Sequence, residues 1–483
     1  MRNIRRSKLL LVLALSLLLI FTLGACGNNN DDPADDDAPA DDSAVNEVDW
    51  DFYTERAERF ILAMADGNFD EAHDMLNPEV LEALHDLGAE LQDIWDDNIA
   101  QAGAFLSIYE TEHFAEGELY AILITAKHED SGVRGLVAFT DEGLIAGWQI
   151  LGFPRLEAAE PTEFESYTAY PILIGEGTAF PLDGMLFMPT GEAGQVPAVL
   201  IVGGSGSHDM DGRTAGLTNT IYRDIAEYLA ENGIASIRYD RRLYAHTERA
   251  LETFGDTLTV REEIIEDALL AVDLLRADPR IDSDRIYIIG HSLGGMLAPR
   301  IHAEADFAGL ILMAATPRHM LELAIEQYRT LISTAIEIEL LEESDFEALI
   351  AQVDELDELF HTLADLSEEE ARETLLPLLN VMAYYFRDMA VHPFADYMQD
   401  LTVPVLVMQG GRDFQVLADV DFVLLQELFA GWDTVTFRLY EDLNHAFIPT
   451  TAENFFAHSE SIAAPGQVYT EVLQDIVTWI LEQ

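Results

Sequence analysis

The chain has 483 residues, with 26 Lys and Arg against 89 Asp and Glu, a formal net charge of −63 at pH 7. A hydrophobic share of 49% can build real cores and excludes a wholly disordered chain; the acidic excess speaks against nucleic acid, whose phosphates need Lys and Arg, and against docking on anionic lipid through a basic face. One cysteine excludes an intrachain disulfide and a Cys-based zinc cluster, and the length fits two or three domains.

Residues 1–25 read as an export signal. Arg2, Arg5, Arg6 and Lys8 make a positive start, and Leu9 to Leu23 is apolar apart from Ser16 and Thr22. That run is short for a membrane span of roughly 20 residues. Leu23-Gly24-Ala25-Cys26 resembles a bacterial lipobox, in which the signal is cut before the cysteine and its sulfur takes a diacylglycerol. The resemblance implies an exported lipoprotein, held at the cell membrane through Cys26 and facing away from the cytoplasm. Residues 26–48 follow as an acidic tether. Within them, 31–42 contain only Asp, Pro and Ala, which repel one another and bury nothing, so a disordered spacer is expected.

Residues 49–152 predict a small α+β domain. Phe52, Phe60, Ile61 and Met64, then Phe69, Ala72, Met75 and Leu76, then Val80, Leu81, Leu84, Leu87, Leu91, Ile94 and Trp95 recur at helical spacing, with Asn77-Pro78 as a break. Short β-like runs follow at Phe105–Tyr109, Leu119–Lys127, Val133–Thr140 and Leu144–Leu151, with Asp141-Glu142-Gly143 as a hairpin turn. With the Gly67-Asn68-Phe69 turn and Trp95, the stretch resembles an NTF2-like domain of unknown function. It has no catalytic signature, and His73, His85, His113 and His128 read as surface or packed side chains.

From residue 164 to 483 strands and helices alternate, which predicts a mostly parallel sheet with helices on both faces. Tyr167–Ile174 and Phe180–Met188 pair around Gly175-Glu176-Gly177. Val196–Val202 is a buried strand, and helices near 217–232 and 260–277 lead to strands Ala235–Tyr239 and Arg285–Ile289. The last of these runs into Gly290-His291-Ser292-Leu293-Gly294 and then a helix over Met296–Ala305. This is G-x-S-x-G in a strand–turn–helix setting: a sharp turn lifts the serine hydroxyl above the sheet, and a Cβ at either glycine would clash within it. Ser292 is the expected nucleophile.

On these residues the stretch resembles a serine-dependent α/β-hydrolase of the esterase/lipase type, in which Ser, an acid and His follow in that order. The resemblance implies Asp413 as the acid, after the strand Val403–Met408 and Gln409-Gly410-Gly411-Arg412, with Gln415-Val416 behind it. It implies His445 as the base, after Val435–Tyr440 and before a final helix striped by Val472, Ile476 and Ile480; His458 and His392 are rivals. The oxyanion donors are the N–H of Leu293 and one from the loop Gly203-Gly204-Ser205-Gly206, with Ser205 ahead of Gly206. Ser207 and Met210 depart from a Gly-Ser-Gly-Pro pattern of bacterial esterases. Tyr239-Asp240-Arg241-Arg242 is expected to brace loops near the oxyanion hole. Asp209 and Asp211 lack the ladder and closing Glu of a calcium loop, so no metal or other cofactor is expected.

About ninety residues separate the strand Leu310–Ala314 from Val403–Met408, longer than a compact sheet needs. Three helical stripes are expected in this cap of about 317–400. They are Leu321, Ile325, Tyr328, Leu331, Ile332, Ala335 and Ile336; then Phe346, Leu349, Ile350, Val353, Leu356, Phe360 and Leu363; then Leu375 to Met389. One of Tyr384, Tyr385 and Phe386 is expected in a pocket wall. The function expected is cleavage of small-molecule carboxylic esters through an acyl-enzyme. A peptidase or acyltransferase with the same triad, and a non-catalytic surface-binding lipoprotein, stay open.

Overall fold

The computed structural model describes residues 48–483 apart from 88–89, 100–101, 117–118, 130–131, 141, 153–159, 192–193, 215–218, 338–342, 380 and 399–400. The signal, Cys26 and nearly all of the tether lie outside the described residues. The chain divides after residue 157 into two compact units. None of the described helices is long and apolar enough to cross a membrane.

In the first unit four helices, Trp50–Ala65, Phe69–Asp74, Pro78–Leu87 and Leu91–Ile99, precede an antiparallel meander of β1 (Phe105–Glu116), β2 (Leu119–His128), β3 (Gly132–Phe139) and β4 (Ile145–Gly152). The first helix puts Ala57, Phe60, Ile61 and Met64 on one stripe, which packs on Ile122, Ile124, Val137 and Phe139 of the sheet. It ends where Gly67, at φ +70°, turns the chain and Asn68 donates back to the Ala63 carbonyl. β1 runs well past the expected end at Tyr109. Its polar residues Glu110, Thr111 and Glu112 hold ladder positions opposite Thr125, Ile124 and Leu123, so pairing rather than side-chain apolarity extends it. The four histidines are not brought together: His113 stacks on Trp50 and His128 is buried with Nδ1 on the Gly103 carbonyl.

The second unit is built on a nine-stranded sheet of β5 (Thr162–Glu163), β6 (Tyr167–Ile174), β7 (Leu182–Pro189), β8 (Val196–Val202), β9 (Ala235–Tyr239), β10 (Ile281–His291), β11 (Gly309–Met313), β14 (Val405–Gly410) and β15 (Val435–Tyr440); a small hairpin of the cap supplies β12 (Leu375–Leu376) and β13 (Val381–Met382). The sheet order is β15-β14-β11-β10-β8-β9-β7-β6-β5. From β15 to β9 the pairs are parallel, and β7, β6 and β5 close the far edge antiparallel. Both faces are covered. Ile288, Leu200, Leu312 and Val407 enter one core, and their chain neighbours Ile289, Ile201, Ile311 and Leu406 enter the other. Two-sided burial explains why these strands read as unbroken apolar runs.

Register places the site. Gly290 lies opposite Val202 and Leu312, Met313 opposite Met408, and Gly410 opposite Tyr440, so β8, β10, β11, β14 and β15 end together at one carboxyl edge. Over that edge, between β11 and β14, lies the cap: helices Met320–Glu337, Glu343–Thr362 and Glu368–Glu373, the β12–β13 hairpin, and helix Ala383–Val391. The expected third helix over Leu375–Met389 is therefore only half helical. Pro377 lies where a continuous helix would need its N–H, and Leu378 takes φ +64°, so the chain folds back as a hairpin first. The cap is tied down by Arg300 to Asp388 at 2.5 Å, Tyr385 Oη to Glu263 at 2.5 Å and Arg318 to the fully buried Asp421 at 2.7 Å.

Candidate active site

Ser292 stands between β10 and helix Leu293–Ala305 at φ +55°, ψ −119°, a conformation costly for a side-chain-bearing residue and kept only where the surroundings over-determine it. Its N–H donates to the Met313 carbonyl at 2.9 Å, and its carbonyl accepts from Met296 N at 3.0 Å, which starts the helix. The glycines are sterically required. A Cβ on Gly290 would sit 2.3 Å from the Gly294 oxygen, and one on Gly294 would sit 2.3 Å from the Val202 oxygen. The Leu293 N–H opens the helix directly after Ser292, where an N-terminal amide has no partner within the helix.

Asp413 follows β14 and is buried. Its Oδ1 accepts from the backbone N–H groups of Gln415 at 2.8 Å and Val416 at 3.0 Å. Its Oδ2 accepts from Gln409 Nε2 at 3.1 Å and from His445 Nδ1 at 2.7 Å. Burial by itself would push this carboxyl up, but the neighbouring His445 and the hydrogen bonds overcome it and hold the group below its ordinary value. His445 follows β15. Its Nδ1 is committed to Asp413, so Nε2 is the nitrogen left for proton transfer. The loop is fixed by buried Asn444, whose Oδ1 accepts from Ala446 N at 3.0 Å and Ile448 N at 3.1 Å.

Ser292, His445 and Ser205 line one cavity of about 100 Å³, together with Gly204, Gly206 and His291. A smaller cavity of about 30 Å³ also opens on Ser292, against Leu293, Met296, Met320, Leu323, Ala324 and Val416; Ser205 and Gln415 border both. Tyr384, Tyr385 and Phe386 line neither. Tyr385 and Phe386 are buried in the core that the cap shares with the sheet, and Tyr384 meets Arg372, which stacks on its ring at 4.7 Å. The pocket wall comes instead from the first cap helix, Met320–Glu337. His392 lies on the cap beside Asp388. His458 is buried against the Phe414 ring and burial pulls its pKa down to about 4, so neither rival holds the position of His445 beside Asp413.

One residue the sequence reading passed over joins the site's two sides. His291, the variable position before the serine, is buried, and burial reinforced by neighbouring His445 pulls its pKa down to about 3. Its Nε2 lies 2.9 Å from the His445 carbonyl, which can only accept, so Nε2 carries the hydrogen. Nδ1 then accepts from the Tyr222 hydroxyl at 3.1 Å, and that oxygen accepts the Gly204 N–H at 2.8 Å. Every bond in this relay has one chemically permitted direction. It commits the Gly204 N–H, which takes Gly204 out of the set of loop donors.

Asp240 and the Arg241 N–H, which donates to the His208 carbonyl at 3.2 Å, brace the same loop, while the Arg241 and Arg242 guanidinium groups pair with Glu263 and Asp267. Asp240 Oδ1 accepts from Met210 N at 2.7 Å, and burial, then the nearby Asp209, push its carboxyl well above its usual range. Asp209 binds Arg213, Asp211 binds Arg238 at 2.7 Å, and Arg241 pairs with buried Glu263 at 2.9 Å. Asp209 and Asp211 thus serve backbone N–H groups and guanidinium partners.

Comparison with known proteins agrees with this architecture. The family described as alpha/beta hydrolase matches residues 198–458, and a family of unknown function, DUF3887, matches residues 57–148. Esterase EstD of Thermotoga maritima is 30% identical over 432 residues, 89% of this chain and 96% of that protein. Among solved structures, Est1E from Butyrivibrio proteoclasticus is 17% identical with TM-score 0.39, over 65% of this chain and 99% of that one. A Pyrococcus furiosus esterase is 14% identical with TM-score 0.39, over 65% of this chain and 91% of that one.

Proposed function

This chain belongs to the alpha/beta hydrolase family and is a carboxylesterase-like hydrolase, and on that premise we propose that it cleaves small-molecule esters through an acyl-enzyme on Ser292, with His445 as base and Asp413 as its partner. His445 Nε2 takes the Ser292 proton as Oγ attacks the ester carbonyl. Asp413 fixes the tautomer through Nδ1 and stabilises the imidazolium. The N–H groups of Leu293 and Ser205 hold the oxyanion. His445 then protonates the departing alcohol, and water, deprotonated by the same ring, releases the acid.

The observation that carries this reading is the 2.7 Å bond between His445 and Asp413, on a cavity that also contains the elbow serine. Ser205 is preferred over Gly206 because Ser205 borders both cavities at Ser292, whereas Gly206 borders one. The test is turnover of short p-nitrophenyl esters and amides by the wild type and by Ser292→Ala, with a fluorophosphonate probe as a second readout. Full ester turnover by Ser292→Ala, or failure of the probe to label the wild type at Ser292, overturns the assignment. Amide turnover above ester turnover favours a peptidase.

The proposal extends to the address. The positive start, the apolar run and the lone Cys26 support export and lipid attachment outside the cytoplasm; mass spectrometry of the mature N-terminus checks it. Four helices set against an antiparallel meander support an NTF2-like reading of the first unit.

A further inference from the structure

The ester reading above leaves the acyl group unassigned, and the two cavities at Ser292 assign it. His445 must deliver its proton to the leaving oxygen, so the alcohol departs on the side His445 lines. That is the cavity of about 100 Å³. The acyl carbon, bonded to Oγ and flanked by the Leu293 N–H, then directs its chain into the cavity of about 30 Å³ among Leu293, Met296, Met320, Leu323, Ala324 and Val416. Such a space holds about two water-sized groups, enough for an acetyl or propionyl chain.

A third cavity, of about 300 Å³, lies between helix Leu293–Ala305 and the cap, with Leu297, Phe360, Met389 and Phe394 among its apolar lining and Arg300 and Arg318 among its polar lining. Met296 is the one residue that lines both. It is buried, 8% exposed, and its unbranched thioether fills the gap between them. We propose that this enzyme is a short-acyl esterase whose acyl length is set by Met296, a specificity-determining wall closing the acyl pocket off from a larger, partly apolar cavity under the cap. The proposal rests on the nucleophile assignment above and goes beyond it, because that assignment is silent on acyl length.

The test compares p-nitrophenyl acetate and p-nitrophenyl octanoate, which share a leaving group and therefore report on the acyl side alone. The wild type should favour acetate in kcat/KM by at least tenfold. Met296→Ala should shift the octanoate-to-acetate ratio upward by at least tenfold, and Met296→Ala with Ala390→Trp, which refills the chamber, should return it towards the wild-type value. If circular dichroism shows that Met296→Ala does not fold, Met296→Val carries the same comparison. A wild type that handles octanoate as well as acetate overturns the proposal, as does an unchanged ratio in a folded Met296 variant. Ser292→Ala separates the two readings: if it is inactive on both esters while the ratio ignores Met296, only the acyl-wall inference fails. If it stays active on both, the nucleophile assignment fails first.

Discussion

At the carboxyl edge of the sheet, a methyl group added to Gly290 or Gly294 would sit 2.3 Å from a backbone oxygen, while a few residues along, under the cap, there is open space of about 300 Å³. The edge holds a serine at φ +55° because backbone from β8, β10 and β11 packs tightly against its turn. The cap shares a core with the sheet through residues such as Leu321, Ile325, Phe386 and Met389 and adds ion pairs to it, yet a cavity stays open at that seam. The difference teaches where chemistry and selectivity each reside. On the proposed assignment, the reacting groups sit on the part with no slack, as fixed geometry requires, and the substrate's variable end faces the part that has some.

Breaking the edge should do the most damage. Ser292→Ala is expected to lower kcat by about 10⁴ or more, read by single-turnover kinetics. Gly294→Ala drives a Cβ into the Val202 oxygen; an overlap with backbone cannot be relieved by a rotamer change, so a loss of about 3 kcal/mol or more in urea unfolding is expected.

Acid sharpens the contrast. Burial pulls His208 to about 4, His291 to about 3 with help from His445, and His458 to about 4. Between pH 6.5 and about 4 the unfolded chain binds these protons and the folded one does not. The contribution of these histidines is therefore complete above pH 6.5 and is lost as pH drops through that window, on the order of 1.4 kcal/mol per proton per pH unit, while Asp267, raised by burial to about 6, and Asp240, raised by burial, work in the opposite direction. Urea midpoints at pH 7 and pH 5 measure it. His458→Phe, whose ring would keep the contact with Phe414, should flatten the slope by about one proton; an unchanged slope would remove His458 from this account.

Smaller effects follow from the relay and the cap. Tyr222→Phe strands the Gly204 N–H and His291 Nδ1, so kcat should fall by about tenfold with KM nearly constant, as expected for a loop that acts on the oxyanion. Tyr384→Phe removes one partly exposed contact with Arg372 and should leave acetate turnover unchanged and stability within about 0.5 kcal/mol. A marked fall in activity would restore Tyr384 to the pocket wall.

The parts that local rules govern were readable residue by residue. The elbow needs a strand, two glycines and a serine adjacent in sequence, so Gly290 to Gly294 declare it. Parallel strands buried on both faces must be apolar throughout, so Val196–Val202 and Val405–Met408 stand out without a partner in view. The family resemblance, with its order of serine, acid and histidine laid on such strands, nominated Asp413 and His445, which the structure brings within 2.7 Å of each other. The elements that went wrong depend on distant partners. The far half of β1 is a strand because β2 pairs with it, and residues 375–382 form a hairpin inside a region of helical composition. His291 gave no signal at all, since its role lies in a carbonyl and a hydroxyl, 154 and 69 residues away.

The amino-acid order alone determined the fold class and the strand carrying the serine, because backbone sterics and two-sided burial act over a few neighbouring residues. Only the tertiary structure decided which cap helix walls the pocket, that His291 ties the two loops together, and that Met296 stands between a small space and a large one. Those depend on which side chains meet across the fold, and close packing settles that only when the whole chain is in place.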